Sequence, residues 1–211
     1  KAPAISHVIF HIIKDPSAQR LQLEKGDLDI AQGIPMDQID QLKSNKEIHV
    51  YEDPSLLCSL VYLNNQKGPT ANKDFRRALS YAIDYKAVID GAVKGRGEAL
   101  TSAVPKGMWA KDDSLTGYTY DLNKAKELLA ASGENVTEMT LTYSDNKAYN
   151  EAEALLIQNN LGKLGIKVNL EKIAWPTFRQ RCDKGEYEMA LGSWSPDYSD
   201  PQFFLSYWLD S

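Results

Sequence analysis

MTLTYSDNKAYNEAEALLIQNNLGKLGIKVNLEKI, residues 139–173, contains three patterns in succession. MTLTYS (139–144) is rich in β-branched and aromatic residues and reads as a strand. NEAEALLIQNNLGKLG (150–165) spaces Ala, Leu and Ile at helical intervals and stops at Gly165. IKVNLEKI (166–173) returns to period two, so the order is strand, helix, strand with short connectors. That is a βαβ unit, and it assigns this part of the chain to the α/β class.

The pattern continues on both sides. Downstream, TFRQRCDKG (177–185) reads as a helix and YEMALGSW (187–194) as another strand. Upstream, YTYDLNKAKELLAASG (118–133) is a helix, with Asp121 as its cap, Ala125, Leu128 and Leu129 on its apolar face and Gly133 as its stop. DFRRALSYAIDYKAVIDGAV (74–93) puts Phe75, Leu79, Ala82 and Ile83 on one stripe, with Asp74 placed to cap it and Asp84 to cap a second helix. GRGEALTSAVPKGMW (95–109) has too much Gly and Pro for an element interior and is expected to be a loop. LLCSLVYLN (56–64) is a strand candidate, followed by the turn-rich NNQKGPTAN. Nearer the start, HVIFHII (7–13) and IHVYE (within 47–52) are expected strands, with a short helix ending near Gly26 between them.

The 211 residues carry 24 Lys and Arg against 29 Asp and Glu, a net charge of −5, which provides no electrostatic footprint for nucleic acid. No run approaches the roughly 18 apolar residues of a membrane-crossing helix. The opening KAPAISHVIF lacks the pattern of a signal peptide, and the chain stops at SYWLDS within an apolar helical stretch; both suggest a piece of a longer protein. Cys58 and Cys182 have no metal-like spacing, and a disulfide between them is left open. His7 and His11 fall on the expected first strand without further ligands, which favours structural or exposed histidines over a metal site. There is no phosphate-cradling glycine loop, and GSWS (192–195) is not a nucleophile elbow.

GSWSPDYSDPQFFLSYW (192–208) is the unusual stretch, with six aromatics, two prolines and two aspartates directly after a strand. Loops beyond the carboxyl ends of α/β strands are where ligands gather. A carboxylate beside Trp and Tyr faces can receive an ammonium group through charge and cation–π attraction, and Trp194, Asp197 and Tyr198 could form such a site. A structural role competes: Asp200 is expected to cap the helix QFFLSYW, with Phe203 and Phe204 in the core. For Trp194 and Asp197 the physics leaves both roles open. Two aspartates could also serve a hydrolase, but Asp197 and Asp200, three apart in a Pro-bounded turn, are better placed to cap backbone N–H groups than to bracket a scissile bond.

Five segments in order, LQLEKGDLDIAQGIP, NNQKGPTANKDFRRALSYAIDYKAVIDGAVKGRGEALTSAVP, YTYDLNKAKELLAASG, the βαβ unit and EYEMALGSWSPDYSDPQFF, resemble the bacterial extracellular solute-binding proteins of family 5. These are oligopeptide and dipeptide receptors of ABC importers. The resemblance spans roughly residues 15–205. It implies a periplasmic-binding-protein-like, Venus-flytrap (type II) lobe with a mixed sheet flanked by helices. Residues 1–50 would be the edge of a first lobe, 51–62 the hinge crossing and 63–211 the second ligand-binding lobe.

The resemblance implies a short peptide as ligand, an ABC permease in the inner membrane as partner, a monomer, and no catalytic residue, metal or cofactor. The setting would be the periplasm or the outer face of the cytoplasmic membrane, with or without a lipid anchor. In peptide-binding members the aspartate of the pattern Trp, two residues, Asp pairs with the ligand's α-ammonium and the tryptophan lines the pocket; the matching positions are Trp194 and Asp197. Arginines that meet the ligand carboxylate would by spacing fall at Cys182 and Leu191, while Arg179 and Arg181 are expected to point elsewhere. The same family holds receptors for oligosaccharides and nickel complexes; in a sugar receptor Trp194, Tyr198 and Trp208 would stack on sugar faces.

Overall fold

The computed structural model describes residues 3–53 and 55–209, so Lys1, Ala2, Pro54 and the last two residues of the expected second lobe lie outside the described residues, as do the side chains of residues 207–209. The chain divides into two compact units, Lys1–Glu52 and Asp53–Ser211.

In the first unit, helix α1 (Pro16–Lys25) starts where Asp15 accepts the Ala18 N–H at 2.7 Å and stops at Gly26 in the left-handed region (φ 79°). A short helix α2 (Ile39–Lys43) follows, with Leu42 buried. Neither strand expected in this unit forms: residues 7–13 and 47–52 have no regular structure. Phe10 and Ile12 are 90% and 92% exposed, and His7 and His11 are exposed with them. Strand preference expresses fit to a pleated, half-buried surface, and no ladder partner for these residues lies among the described residues.

The second unit is built on a four-stranded mixed sheet of order β1-β4-β2-β3, where β1 is Cys58–Leu63, β2 Glu138–Ser144, β3 Lys167–Ile173 and β4 Met189–Trp194. β2 runs parallel to β3 and β4, as the βαβ reading requires, and β1 pairs antiparallel with β4 from Cys58↔Trp194 to Leu63↔Met189. Helix α6 (Asn150–Gly162) connects β2 and β3 and contributes Ala154, Ile157 and Leu161 to the main core, against Leu141 and Leu191 of the sheet. Helices α3 (Lys73–Ala82), α4 (Tyr85–Val93) and α5 (Leu122–Ser132) precede the βαβ unit, and α7 (Trp175–Asp183) and α8 (Gln202–Leu209) flank β4 in sequence. Phe75 and Ala82 of α3 are fully buried, in line with the stripe read from sequence.

Asp84, Asp121 and Gly133 cap as their sequence positions predict, with Asp84 accepting from Ala87 N at 3.0 Å and Asp121 from Lys124 N at 2.9 Å. Asp74 does not. The α3 cap is Asn72, whose Oδ1 accepts from Asp74 N at 3.0 Å and Phe75 N at 3.4 Å, while its Nδ2 donates to the Ser132 carbonyl at 2.9 Å. The helix therefore starts two residues early, and Asp74 turns to Arg77 (3.1 Å). Asn72→Ala removes the cap and a tie to the end of α5 together; a loss of about 1–2 kcal/mol is expected, readable in denaturant unfolding.

The 95–109 segment is irregular, as its glycines and prolines demand, yet it is not merely a surface loop. Val104 and Met108 are buried with Cys58 and Phe204 in a second, smaller core, against which Leu60 and Trp194 pack. This core lies beneath the end of β4.

Candidate functional site: the end of strand β4 and its aromatic cleft

β4 is interior to the sheet, and its residues alternate between the two faces. Leu191 is 2% exposed and joins Met189 in the main core, so one of the two positions where the resemblance places a ligand arginine is committed to packing. Gly192 and Trp194 border a cleft of about 430 Å³ together with Tyr62, Trp175, Phe178 and Cys182. Trp175 and Phe178 stack with centroids 5.8 Å apart at 22°. Gly192 is what lets the rings lie on the strand: a Cβ there would stand 2.7 Å from Tyr62 Cε2 and 3.4 Å from Phe178 Cζ.

Arg179 also lines the cleft, contrary to the expectation that it points away. It lies one turn before Cys182 on α7, so both share a helix face, and its Nε donates to Asp183 at 3.3 Å. Arg181 does turn elsewhere, donating from Nη1 to Glu171 Oε1 at 2.8 Å and from Nε to the Glu186 carbonyl at 3.2 Å. The Nη1 bond, with one from Thr142, holds the Glu171 carboxyl below its ordinary range. The cleft thus offers aromatic walls with one guanidinium and one carboxylate. Such a lining suits a planar or apolar group that carries a polar end.

Both cysteines are free thiols in the structure; burial is the main cause that pushes each up to about 11, which keeps them protonated at neutral pH. Cys58 belongs to the smaller core and Cys182 to the cleft wall.

Trp194, Asp197 and Tyr198 do not converge on one cavity. Trp194 is half-buried at the cleft, whereas Asp197 and Tyr198 lie on the loop after β4, exposed, and do not line it. No donor among the described residues holds the Asp197 carboxylate. Tyr198 is 60% exposed and receives the Phe203 ring edge-on, at 4.5 Å and 89°. Asp200 accepts the Gln202 N–H at 2.8 Å at the start of α8, and Phe204 is fully buried, as expected; Phe203 is only half-buried. With Asp200 bonded to backbone, the two aspartates have different roles. The Trp208 side chain, which a sugar receptor would use for stacking, lies outside the described residues.

Glu153 is a polar feature that composition did not reveal. It is 6% exposed on α6, where Ser59 Oγ donates to it at 2.7 Å, and burial raises its carboxyl pKa despite that bond. Nearby, the Tyr149 phenol is hydrogen-bonded to Ser193, the β4 residue paired with Ser59, so these polar groups gather on the one face of the β1–β4 pair that lies opposite Gly192 and Trp194. The helical spacing of Glu153 with Ile157 and Asn160, three to four residues apart on one face, was the available signal.

Among known proteins, the sequence profile of the bacterial extracellular solute-binding proteins, family 5 middle region, matches residues 1–211. The probable D,D-dipeptide-binding periplasmic protein DdpA of Escherichia coli K12 is 42% identical over 209 residues, covering 99% of this chain and 40% of that protein. The periplasmic binding protein DppA of Helicobacter pylori, solved with the peptide STSA, superposes with a TM-score of 0.83 at 32% identity over 92% of this chain and 38% of that one. A dipeptide-binding protein of Pseudoalteromonas sp. SM9913, solved with Met-Leu, gives a TM-score of 0.82 at 26% identity, covering 92% and 39%. The chain thus spans about two fifths of the length of the relatives it matches.

Proposed function

The chain belongs to the bacterial extracellular solute-binding proteins of family 5, and from that premise we propose that it is part of a two-lobed receptor that captures short peptides and hands them to an ABC permease. In this reading residues 1–50 are an edge of the first lobe, 51–62 the crossing and 63–211 most of the second. The receptor is a monomer that works outside the cytoplasmic membrane, in the periplasm or held by lipid at the membrane's outer face. Its relatives are binding proteins by name, and no step of this function calls for a catalytic group or cofactor.

One observation carries the reading: an exposed carboxylate, Asp197, unbound by any described donor, stands three residues beyond a tryptophan that walls an aromatic cleft at the carboxyl end of a strand. Asp197 receives the peptide's α-ammonium, and the Trp194 ring packs beside the chain that follows. Arg179 is the cation nearest in role to the arginines that Cys182 and Leu191 replace, and it meets the far, carboxylate end.

The test is thermal shift of the full-length protein with L- and D-dipeptides, longer peptides, oligosaccharides and nickel. A ligand at a hundred times its dissociation constant stabilises by about 2.7 kcal/mol. Stabilisation by peptides that disappears on N-acetylation is the expected result; stabilisation by sugars or nickel alone would overturn it.

A further inference from the structure

Trp109 is 63% exposed, yet its indole N–H donates to the Ser199 carbonyl at 3.1 Å, across 90 positions of sequence. The residue before it, Met108, is 4% exposed in the smaller core, and its Sδ accepts from Ser199 Oγ at 3.6 Å. Two consecutive residues at the end of the 95–109 segment therefore grip one residue of the loop that bears Asp197. Immediately afterwards Ala110 takes a φ of 62°, a left-handed conformation that a Cβ disfavours. The chain bends there against its preference, directly after the residue that faces Ser199.

The loop's other anchors are at its ends. Trp194 is paired to Cys58 in the sheet, and Asp200 is bound to the start of α8. Residues 195–199 span the gap, with Asp197 in the middle, exposed and unbraced by its own side chain. A charged hydrogen bond is sensitive to the position of its acceptor, and binding groups work when held to within about half an ångström. The Ser199 grip lies two residues from Asp197. Besides the ring contact of Tyr198 with Phe203, it ties the loop to a separate part of the fold between those anchors.

We propose that Trp109 is a positioning residue for ammonium recognition: by holding the Ser199 carbonyl it sets where the Asp197 carboxylate stands. This rests on the reading of Asp197 given above. Because the ring is mostly exposed, Trp109→Phe keeps the small core and removes only the donor.

The experiment is calorimetric titration of the full-length protein with one dipeptide and its N-acetyl form, using the ratio of the two dissociation constants as the readout. In the wild type the free amine is expected to bind at least about tenfold tighter. In Trp109→Phe the ratio is expected to fall below about threefold while the N-acetyl affinity stays within about twofold, a pattern that general loosening does not produce. Trp109→His, which keeps a ring N–H, is expected to recover part of the ratio. A wild type that binds both forms equally overturns the Asp197 reading and the proposal with it. A wild-type ratio retained in Trp109→Phe, an equal loss for both ligands, or no recovery in Trp109→His overturns the positioning role alone.

Discussion

Asp197→Asn is expected to weaken binding of a free-amine dipeptide to the full-length protein by about 10- to 150-fold, the loss of about 1.5–3 kcal/mol that follows removal of a charged hydrogen bond. The substitution keeps size and shape, and the carboxylate is exposed and makes no bond to another described residue that its loss would break. Folding is therefore unchanged, and the whole effect falls on the ligand. Titration calorimetry at low and at high salt checks it: an exposed ion pair is screened, so the wild-type advantage narrows as salt rises. The N-acetyl peptide, which has no ammonium, is expected to bind both proteins alike. A sugar hydroxyl could bond to an asparagine almost as well, so a loss of less than about threefold with a sugar ligand would place the protein with the carbohydrate receptors of the family.

Phe204→Ala is expected to cost the second unit about 3–5 kcal/mol, the range for truncating a fully buried aromatic where the site cannot collapse. Phe204 is 0% exposed and fills the space among Cys58, Val104 and Met108. Those neighbours come from β1 and from the irregular 95–109 segment, so none can close the cavity without moving the others. Denaturant unfolding followed by tryptophan fluorescence measures the loss. Phe203→Ala is the control, since its ring is half-buried against Tyr198 and is expected to cost less than half as much. A Phe204→Ala loss under about 1 kcal/mol would mean that the smaller core carries little of the unit's stability.

Where a signal is local, the sequence was readable to within a residue or two. The caps at Asp84 and Asp121 and the stops at Gly26 and Gly133 needed only a side-chain oxygen or a left-handed residue at the right offset. Asn72 and Asp74 show the limit of that: both can cap, and the choice went to Asn72, whose amide also reaches Ser132 sixty residues away. The misplaced strands at 7–13 and 47–52 show it again. Their residues have every preference for a sheet, but a strand is defined by its partner and none stands beside them among the described residues.

The site was legible in part. Trp194, Asp197 and Tyr198 were marked by composition, and Asp200 as a cap by its place before a helix. The cleft was not, because Tyr62, Trp175, Phe178 and Gly192 come from separate elements and meet only when β1 pairs with β4 and α7 lies across them. Spacing from the family pattern leaves Arg179 pointing away, whereas on the helix it shares a face with Cys182 and lines the cleft.

By itself, then, the sequence determined the α/β order, the βαβ unit, most helix ends and the family. These depend on periodicity and on short offsets, and both are properties of consecutive residues. Tertiary structure alone decided that Leu191 is core and Gly192 an open floor, that Arg179 faces the aromatic walls, that Glu153 is buried beside Ser59, and that Trp109 reaches Ser199. Those outcomes depend on which surfaces pack together across long stretches of chain, and packing is a property of the whole core rather than of any one segment.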